Sequence, residues 1–221
     1  MEPMNVDDLL ALAQKAGFTN DAETQAGLPT QLQKLHRAVL RSFLDGNAAP
    51  TRRWFREEAS RLSLDPDDAL ARLAEVDLVH VSAERLSVAY PFSGAPTRHQ
   101  VWPAKSRAVW AMCAIDALGV LEMTGEDGVV ISSDPGSSAP IRVERHEGEW
   151  LWEPEHTVVA IARPKSRGSS AELLCPQIDF HTDLESAESH LNGDSDPLGY
   201  VLDQPTAVEL ADRLFGPLLS D

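Results

Sequence analysis

The spacing of hydrophobic and polar positions predicts a helical first part of the chain. Between residues 30 and 98, apolar side chains recur every three or four positions in TQLQKLHRAVLRSFLDG, and Gly46 is a candidate end of that helix. Thr51 is a candidate N-cap of a second helix, and Asp65-Pro66 opens a third. The short extended runs LVHVS and RLSVAYPF follow. Three helices followed by a strand pair are the outline of a winged helix.

The pattern after residue 98 predicts one long helix, then strands. VWPAKSRAVWAMCAIDALGVLEM, residues 101–123, is predicted as a single helix, and GVVISS, IRVERH and HTVVAIARP are strand candidates separated by turn signals. DLESAESHL predicts a helix capped by Asp183, LGYVLD a strand, and TAVELADRLFGPLL a last helix capped by Thr206. The predicted fold class is α+β, with an N-terminal winged-helix-like helical unit followed by a small mixed β-sheet core with flanking helices.

The same pattern divides the chain into three parts. Residues 1–29 form an N-terminal arm or helix, residues 30–98 a winged-helix-like domain, and residues 99–221 an α+β domain that carries the candidate chemistry. A chain of 221 residues with 43% hydrophobic composition can build one main core with a small appended unit.

Net charge argues against the DNA binding that a winged helix usually performs. The chain carries a formal charge of −16, which repels nucleic acids and anionic lipids. The third helix, which would enter the major groove, has one basic residue, Arg72, against several acidic ones: Asp65, Asp67, Asp68, Glu75 and Asp77. We therefore expect a helical support and no nucleic-acid partner. With no apolar run of 18 residues and no secretory signal, we expect a cytoplasmic protein and no membrane partner.

The candidate chemistry lies in WAMCAIDAL, residues 110–118, and in a second cysteine far along the chain. Cys113 and Asp116 are three residues apart, so on a helix they share a face. Two thiolates suit a soft metal ion such as Cu(I) or Hg(II), and a carboxyl group in an apolar pocket can carry a proton. Sequence spacing does not bring Cys175 to this pair. The alternative interpretation is that both cysteines are structural thiols and that Asp116 faces solvent.

Motifs of other enzyme classes are absent from the sequence. There is no HExxH zinc motif, no GxSxG elbow, no P-loop and no GxGxxG fingerprint, and none of the seven histidines forms a local motif with a cysteine. We expect no organic cofactor.

The segment WAMCAIDAL, followed by LLCPQIDF and the helix DLESAESHL, resembles the organomercurial (alkylmercury) lyase family. The resemblance implies an enzyme that cleaves the carbon–mercury bond of R–Hg⁺ to R–H and Hg²⁺, with Cys113, Asp116 and Cys175 as catalytic residues and mercury ligands. It also implies a winged-helix-like unit before the first motif. The chain departs from many members by having Pro176 where they have a second cysteine, and by having no cysteine in the loop SSDPGSSAP.

The resemblance also implies partners. The substrate is a small organomercurial, and product Hg²⁺ stays on the two sulfurs until cellular thiols or a mercuric reductase accept it. Three alternatives stay open at this point. They are a non-catalytic protein that binds Hg(II) or Cu(I), a lyase-like homologue that acts on another substrate, and a winged-helix transcription regulator.

Overall fold

A computed structural model describes residues 6–8, 10–11, 20–46, 48–162, 170–193 and 199–220. The predicted arm, residues 1–29, therefore lies partly outside the described residues. Within them, no helix has the length and apolar character that crossing a membrane requires.

Four helices lie between residues 21 and 75: α1 Asp21–Ala26, α2 Thr30–Asp45, α3 Arg52–Arg61 and α4 Pro66–Glu75. The three predicted helices are confirmed, although the third, predicted to continue to Val79, already ends at Glu75. Gly46 is the C-cap of α2, the Thr51 side chain accepts a hydrogen bond from the backbone N–H of Trp54, and Asp65 caps α4 with Pro66 at its start. The side chains of Thr51 and Asp65 satisfy N–H groups that a helix leaves unpaired at its start.

An eight-stranded antiparallel sheet follows the helices. Its strands are β1 Val79–Ser82, β2 Arg85–Ala89, β3 Phe92–Ser93, β4 His99–Pro103, β5 Val109–Ala111, β6 Gly128–Ser133, β7 Pro140–His146 and β8 Glu149–Glu153. The spatial order is β1-β2-β3-β5-β4-β6-β7-β8. The predicted hairpin forms the β1–β2 edge of this sheet, and β3 and β4 lie on either side of the predicted boundary at residue 98. The winged-helix assignment and the three-part division stay predictions.

A smaller sheet contains β9 Val158–Ile161, β10 Ile178–His181 and β11 Tyr200–Leu202 in the order β10-β9-β11. Both sheets pair their strands antiparallel, so the predicted mixed sheet was wrong. Many consecutive strands are joined by tight turns, which reverse the chain direction, whereas parallel neighbours need a long crossover.

The predicted long helix over residues 101–123 was also wrong. Its first half forms β4 and β5, and helix α5 begins only at Ala114 and ends at Thr124. The burial of β4 and β5 alternates from residue to residue, with Val101 and Val109 buried and Trp102 exposed. This alternation from one residue to the next is the period of a strand.

Two further helices complete the fold: α6 Leu184–Gly193 and α7 Gln204–Phe215. The predicted cap of α6 is confirmed, because Asp183 accepts a hydrogen bond from the backbone N–H of Ser186 at 2.8 Å. The predicted cap of α7 was wrong. Asp203 holds that position, and its side chain accepts from the backbone N–H of Thr206.

Helix α5 is the centre of the molecule. Nine of its eleven residues are buried, and it packs against α7, β4, β5 and β10. A helix that is apolar on every side is stable only when protein surrounds it. The start of α5 is therefore held rigidly inside the core, where it carries the candidate site.

Candidate active site

Cys113 lies at the junction of β5 and α5, one residue before the helix. It is the N-cap of α5, with φ −150° and ψ −176°, and its Sγ accepts a hydrogen bond from the backbone N–H of Asp116 at 3.4 Å. We expected the side chains of Cys113 and Asp116 to lie on one face of a helix. They do lie together, but Cys113 is the N-cap and Asp116 is the third residue of the helix. The extended backbone at Cys113 turns its sulfur back over the first turn of α5.

Cys175 reaches the same place from the other side. It opens the short 3-10 turn Cys175–Gln177, which leads directly into β10. Its Sγ lies 3.8 Å from Oδ2 of Asp116 and donates to that oxygen. Pairing of β10 with β9, and packing of β10 against α5, bring the second thiol to the start of the helix.

The structure thus brings together all three residues that the sequence singled out. One ligand atom from each of Cys113, Asp116 and Cys175 lies within 4.8 Å of the others. The three residues are buried, with exposed fractions of 2%, 3% and 6%. Among the described residues, this is the one group of three or more histidine, cysteine or acidic side chains with such a spacing.

Burial changes the proton affinity of all three groups. It raises the pKa of Asp116 from 3.8 to about 7, although hydrogen bonds from Cys113 and Cys175 oppose the shift. Burial, the hydrogen bond to Cys175 and the charge of Asp116 raise the pKa of Cys113 well above its ordinary value. For Cys175, the hydrogen bond from Cys113 lowers the pKa, but burial and the Asp116 charge outweigh it and leave the pKa raised.

The direction of these pKa shifts suits a site that is protonated before it binds a metal ion. Without an ion, both thiols keep their protons at neutral pH, and Asp116 exchanges its proton near neutrality. A soft cation binds thiolates, so its arrival displaces thiol protons. Asp116 is hydrogen-bonded to Cys175 and is therefore placed to accept one of these protons.

The charges of the site also affect two further buried ionisable groups, and the sequence patterns did not indicate either. Asp21 of α1 and Tyr90, which follows β2, are buried. After burial, the charge of Cys175 is the largest cause that raises the pKa of the Tyr90 phenol. Neither residue belongs to a motif, and both come from the part of the chain before residue 92.

Comparison with known proteins gives this geometry a context. Residues 92–216 match the family model "MerB: Alkylmercury lyase", a span that covers more than half of the chain. The chain belongs to the alkylmercury lyase family. It is therefore an enzyme of the alkylmercury lyase class, as the resemblance in the sequence implied, and all three candidate site residues lie inside the matched span. Their individual roles stay predictions.

A solved structure shows the same fold. The crystal structure of the mercury-bound form of MerB2 matches with a TM-score of 0.75 and 21% sequence identity, over 91% of this chain and 97% of that one. No curated protein sequence matches the chain.

Proposed function

We propose that Cys113, Cys175 and Asp116 of this alkylmercury lyase cleave the carbon–mercury bond by protonolysis. The observation that carries the proposal is the buried contact of two thiols with one carboxyl group whose pKa lies near 7. Carbon leaves mercury only when it is protonated, so the reaction needs sulfur ligands and a proton donor at one point. The geometry supplies both.

The first part of the reaction is ligand transfer. A thiol loses its proton and its sulfur bonds to mercury, which displaces the ligand that the substrate carried. The second thiol then loses its proton and its sulfur adds to mercury without displacing a further ligand, so that mercury is held by two sulfurs and by carbon. One thiol proton goes to the ligand that leaves, which departs as R′SH. Asp116 accepts the proton of one thiol, which its hydrogen bond to Cys175 allows.

The second part is proton transfer to carbon. Electron donation from two thiolates weakens the carbon–mercury bond, and Asp116 returns its proton to carbon as that bond breaks. For a substrate R–Hg–SR′ the balance is R–Hg–SR′ plus two Cys–SH, giving R–H, R′SH and mercury bonded to both sulfurs. A preformed and water-poor site favours this step, because its groups need no reorganisation.

Product Hg²⁺ remains on Cys113 and Cys175 in this proposal until cellular thiols or a mercuric reductase take it. Both cysteines are free thiols, which fits a reducing compartment, and we place the enzyme in the cytoplasm. The proposed reaction uses no organic cofactor. Its mercury is part of the substrate.

The decisive experiment measures the hydrocarbon product. Reduced protein is incubated with phenylmercury and an excess of a small thiol, and benzene is quantified. Wild-type protein should release benzene, Cys113→Ser should release none, and Asp116→Asn should be slower by about 100-fold, the contribution of a positioned proton donor. Glu188→Gln removes an exposed carboxylate and serves as the matched control.

One result would reject the proposal in favour of metal capture. Tight binding of Hg²⁺ or Cu(I) by wild-type protein, with no benzene from phenylmercury and no methane from methylmercury, would mean that the two sulfurs hold metal without cleaving the substrate.

A further inference from the structure

An ion pair joins the start of β4, in the eight-stranded sheet, to β10 in the smaller sheet. Nη1 of Arg98 donates to Oδ1 of Asp179, and Nε2 of His99 lies 3.4 Å from the same oxygen. Oγ of Ser132 lies 2.9 Å from Nδ1 of His99 and holds its ring. Asp179 is buried, with 6% of its surface exposed. Burial opposes its ionisation, but the hydrogen bond and charge of His99 and the charge of Arg98 lower its pKa, so the carboxyl group is ionised at neutral pH.

The Arg98–His99 end of this ion pair is attached to the segment that leads to Cys113. His99 of β4 pairs with Ala111 of β5. The Thr97 hydroxyl donates to the backbone oxygen of Ala111 at 2.7 Å. Cys113 follows Ala111 by two residues, directly after the end of β5. The positive end of the ion pair is therefore fixed to the strand that presents the first sulfur.

The Asp179 end is attached to Cys175 through one tight turn. The backbone N–H of Ile178 donates to the backbone oxygen of Cys175 and closes the turn. The backbone N–H of Ala162 donates to the backbone oxygen of Gln177 at 2.8 Å and ties the turn to the end of β9. A displacement of Asp179 therefore displaces the turn that presents the second sulfur.

The two cysteines reach the site from different sheets, so their separation depends on how the sheets are held together. Packing of α5 against β10 contributes to this contact, but apolar burial is non-directional. A buried ion pair adds little net stability compared with apolar packing, whereas its charged hydrogen bonds fix a distance and a direction. The ion pair between β4 and β10 therefore suits a function in geometry more than one in stability.

We propose that Asp179, held by Arg98 and His99, is a positioning residue that keeps the sulfurs of Cys113 and Cys175 close enough to bind one mercury atom together. It acts through β10 and the turn before it. The inference rests on the proposed function, in which the first sulfur–mercury bond needs one thiol and the cleavage step needs both. Loss of the ion pair should therefore leave the first step intact and slow the second.

The first test separates the two steps. Protein in excess reacts once with phenylmercuric chloride, without added thiol. Native mass spectrometry follows the protein–phenylmercury adduct, and benzene is measured in the same samples. Asp179→Asn keeps the shape of the side chain and removes its charge. We expect it to form the adduct within about twofold of the wild-type rate. Benzene release should be slower by about 100-fold, the usual effect of a displacement of about 1 Å at a reacting group.

Variants of Arg98 test the other half of the ion pair. Arg98→Gln removes the positive charge and should behave like Asp179→Asn, and it decides the test if Asp179→Asn does not fold. Arg98→Lys keeps the charge and should release benzene faster than Arg98→Gln. The matched control is Arg142→Gln, because Arg142 forms an ion pair with Glu144 and its side chain is 38% exposed, against 39% for Arg98. It should match wild type in both steps.

A second reagent measures the separation of the sulfurs without mercury. Phenylarsine oxide plus two Cys–SH gives phenylarsenic bonded to both sulfurs and water, whereas iodoacetamide alkylates one sulfur at a time. Asp179→Asn and Arg98→Gln should capture phenylarsine oxide about 100-fold more weakly than wild type, because the second bond is no longer intramolecular at a short distance. Alkylation by iodoacetamide should proceed at the wild-type rate. The chain has two cysteines, both in the site, so no other thiol of the protein competes.

A merely structural role of the ion pair would slow adduct formation and benzene release equally. That result, like wild-type rates and wild-type arsenical capture in both variants, would overturn the inference and leave the lyase function intact. Wild-type protein that captures phenylarsine oxide but releases no benzene would overturn the proposed function, and the arsenical comparison would still decide the positioning role. Wild-type protein that captures no arsenical would overturn the inference, because its sulfurs would be too far apart. Urea unfolding establishes that each variant is folded.

Discussion

At the scale of single residues, the molecule retains an acid at a place where an apolar side chain would be cheaper. Asp116 is buried at the start of the most apolar helix, between two thiols. Its charged form lacks solvation, which is why its pKa rises to about 7. A carboxyl group of this kind reduces stability at neutral pH, and the proposed proton transfer explains why it is there.

The unfavourable burial of the Asp116 carboxylate predicts that the stability of the protein depends on pH. Because the folded pKa of Asp116 is above its unfolded value, the folded state binds the proton more tightly. The contribution of the protonated group is complete below pH 3.8 and is lost as the pH rises through about 7. Asp116→Asn has no carboxyl group to ionise at this position and so does not lose this stability. From pH 4 to pH 8 its unfolding free energy should therefore rise by up to about 4 kcal/mol relative to that of wild type.

Urea unfolding of both proteins across this range measures the difference. Using the difference between the two proteins cancels the titration of other groups that they share. A constant difference from pH 4 to pH 8 would show that Asp116 has an ordinary pKa.

At the scale of elements, the β5–α5 junction both builds the site and starts the helix. Cys113 ends the extended segment, caps α5 through its sulfur and presents that sulfur to Asp116. One side chain therefore has a structural and a proposed chemical role, and substitution can separate the two.

Cys113→Ser should lose lyase activity and keep its stability, because a serine hydroxyl is a better N-cap acceptor than sulfur. Cys113→Ala should lose activity and also about 1 kcal/mol of unfolding free energy, since the capping hydrogen bond disappears. Chemical denaturation of the three proteins measures the order. Equal stability of the serine and alanine variants would show that the cap contributes little.

The packing of α5 against α7 predicts that a larger side chain at Gly119 reduces the stability of the protein. A Cβ atom added at Gly119 would overlap the ring of Phe215, which is buried and cannot move aside freely. Gly119→Ala should therefore cost about 1–3 kcal/mol of unfolding free energy despite the better helix propensity of alanine. Gly27→Ala meets only ordinary contacts and is the matched control. A Gly119→Ala variant as stable as wild type would show that this interface adapts.

At the scale of the whole molecule, the net charge distinguishes between two possible roles of helices α1 to α4, which are support of the enzyme and DNA binding. The formal charge is −16, and α4 begins with Asp67 and Asp68 in its first turn. A duplex is bound largely by basic residues that replace its counterions. The charge therefore favours a supporting unit of the enzyme over a DNA-binding one.

We expect no binding of double-stranded DNA even at low salt, where electrostatic attraction is strongest. Fluorescence anisotropy with a labelled duplex at micromolar protein tests this. Saturable binding that weakens as salt is added would restore the regulator hypothesis, because it would require a basic surface that the net charge conceals.

Local patterns in the sequence were sufficient for several features of this protein. Helical periodicity and cap residues predicted α2, α3 and α4, and Cys113 and Asp116 were paired by their spacing of three. These features depend on neighbours within one turn, so a short stretch of chain contains the information. The motif around Cys113 also indicated the family, which the comparison confirmed.

Other features were decided by the tertiary structure. Residues 101–111 contain apolar groups that fit a helix or a strand, and pairing of β4 with β5 and β6 selected the strand. The approach of Cys175 to Asp116 depends on the packing of β10 against α5, 59 residues away in sequence. Contacts between distant segments arise from burial of whole faces, and no local spacing encodes which faces will meet.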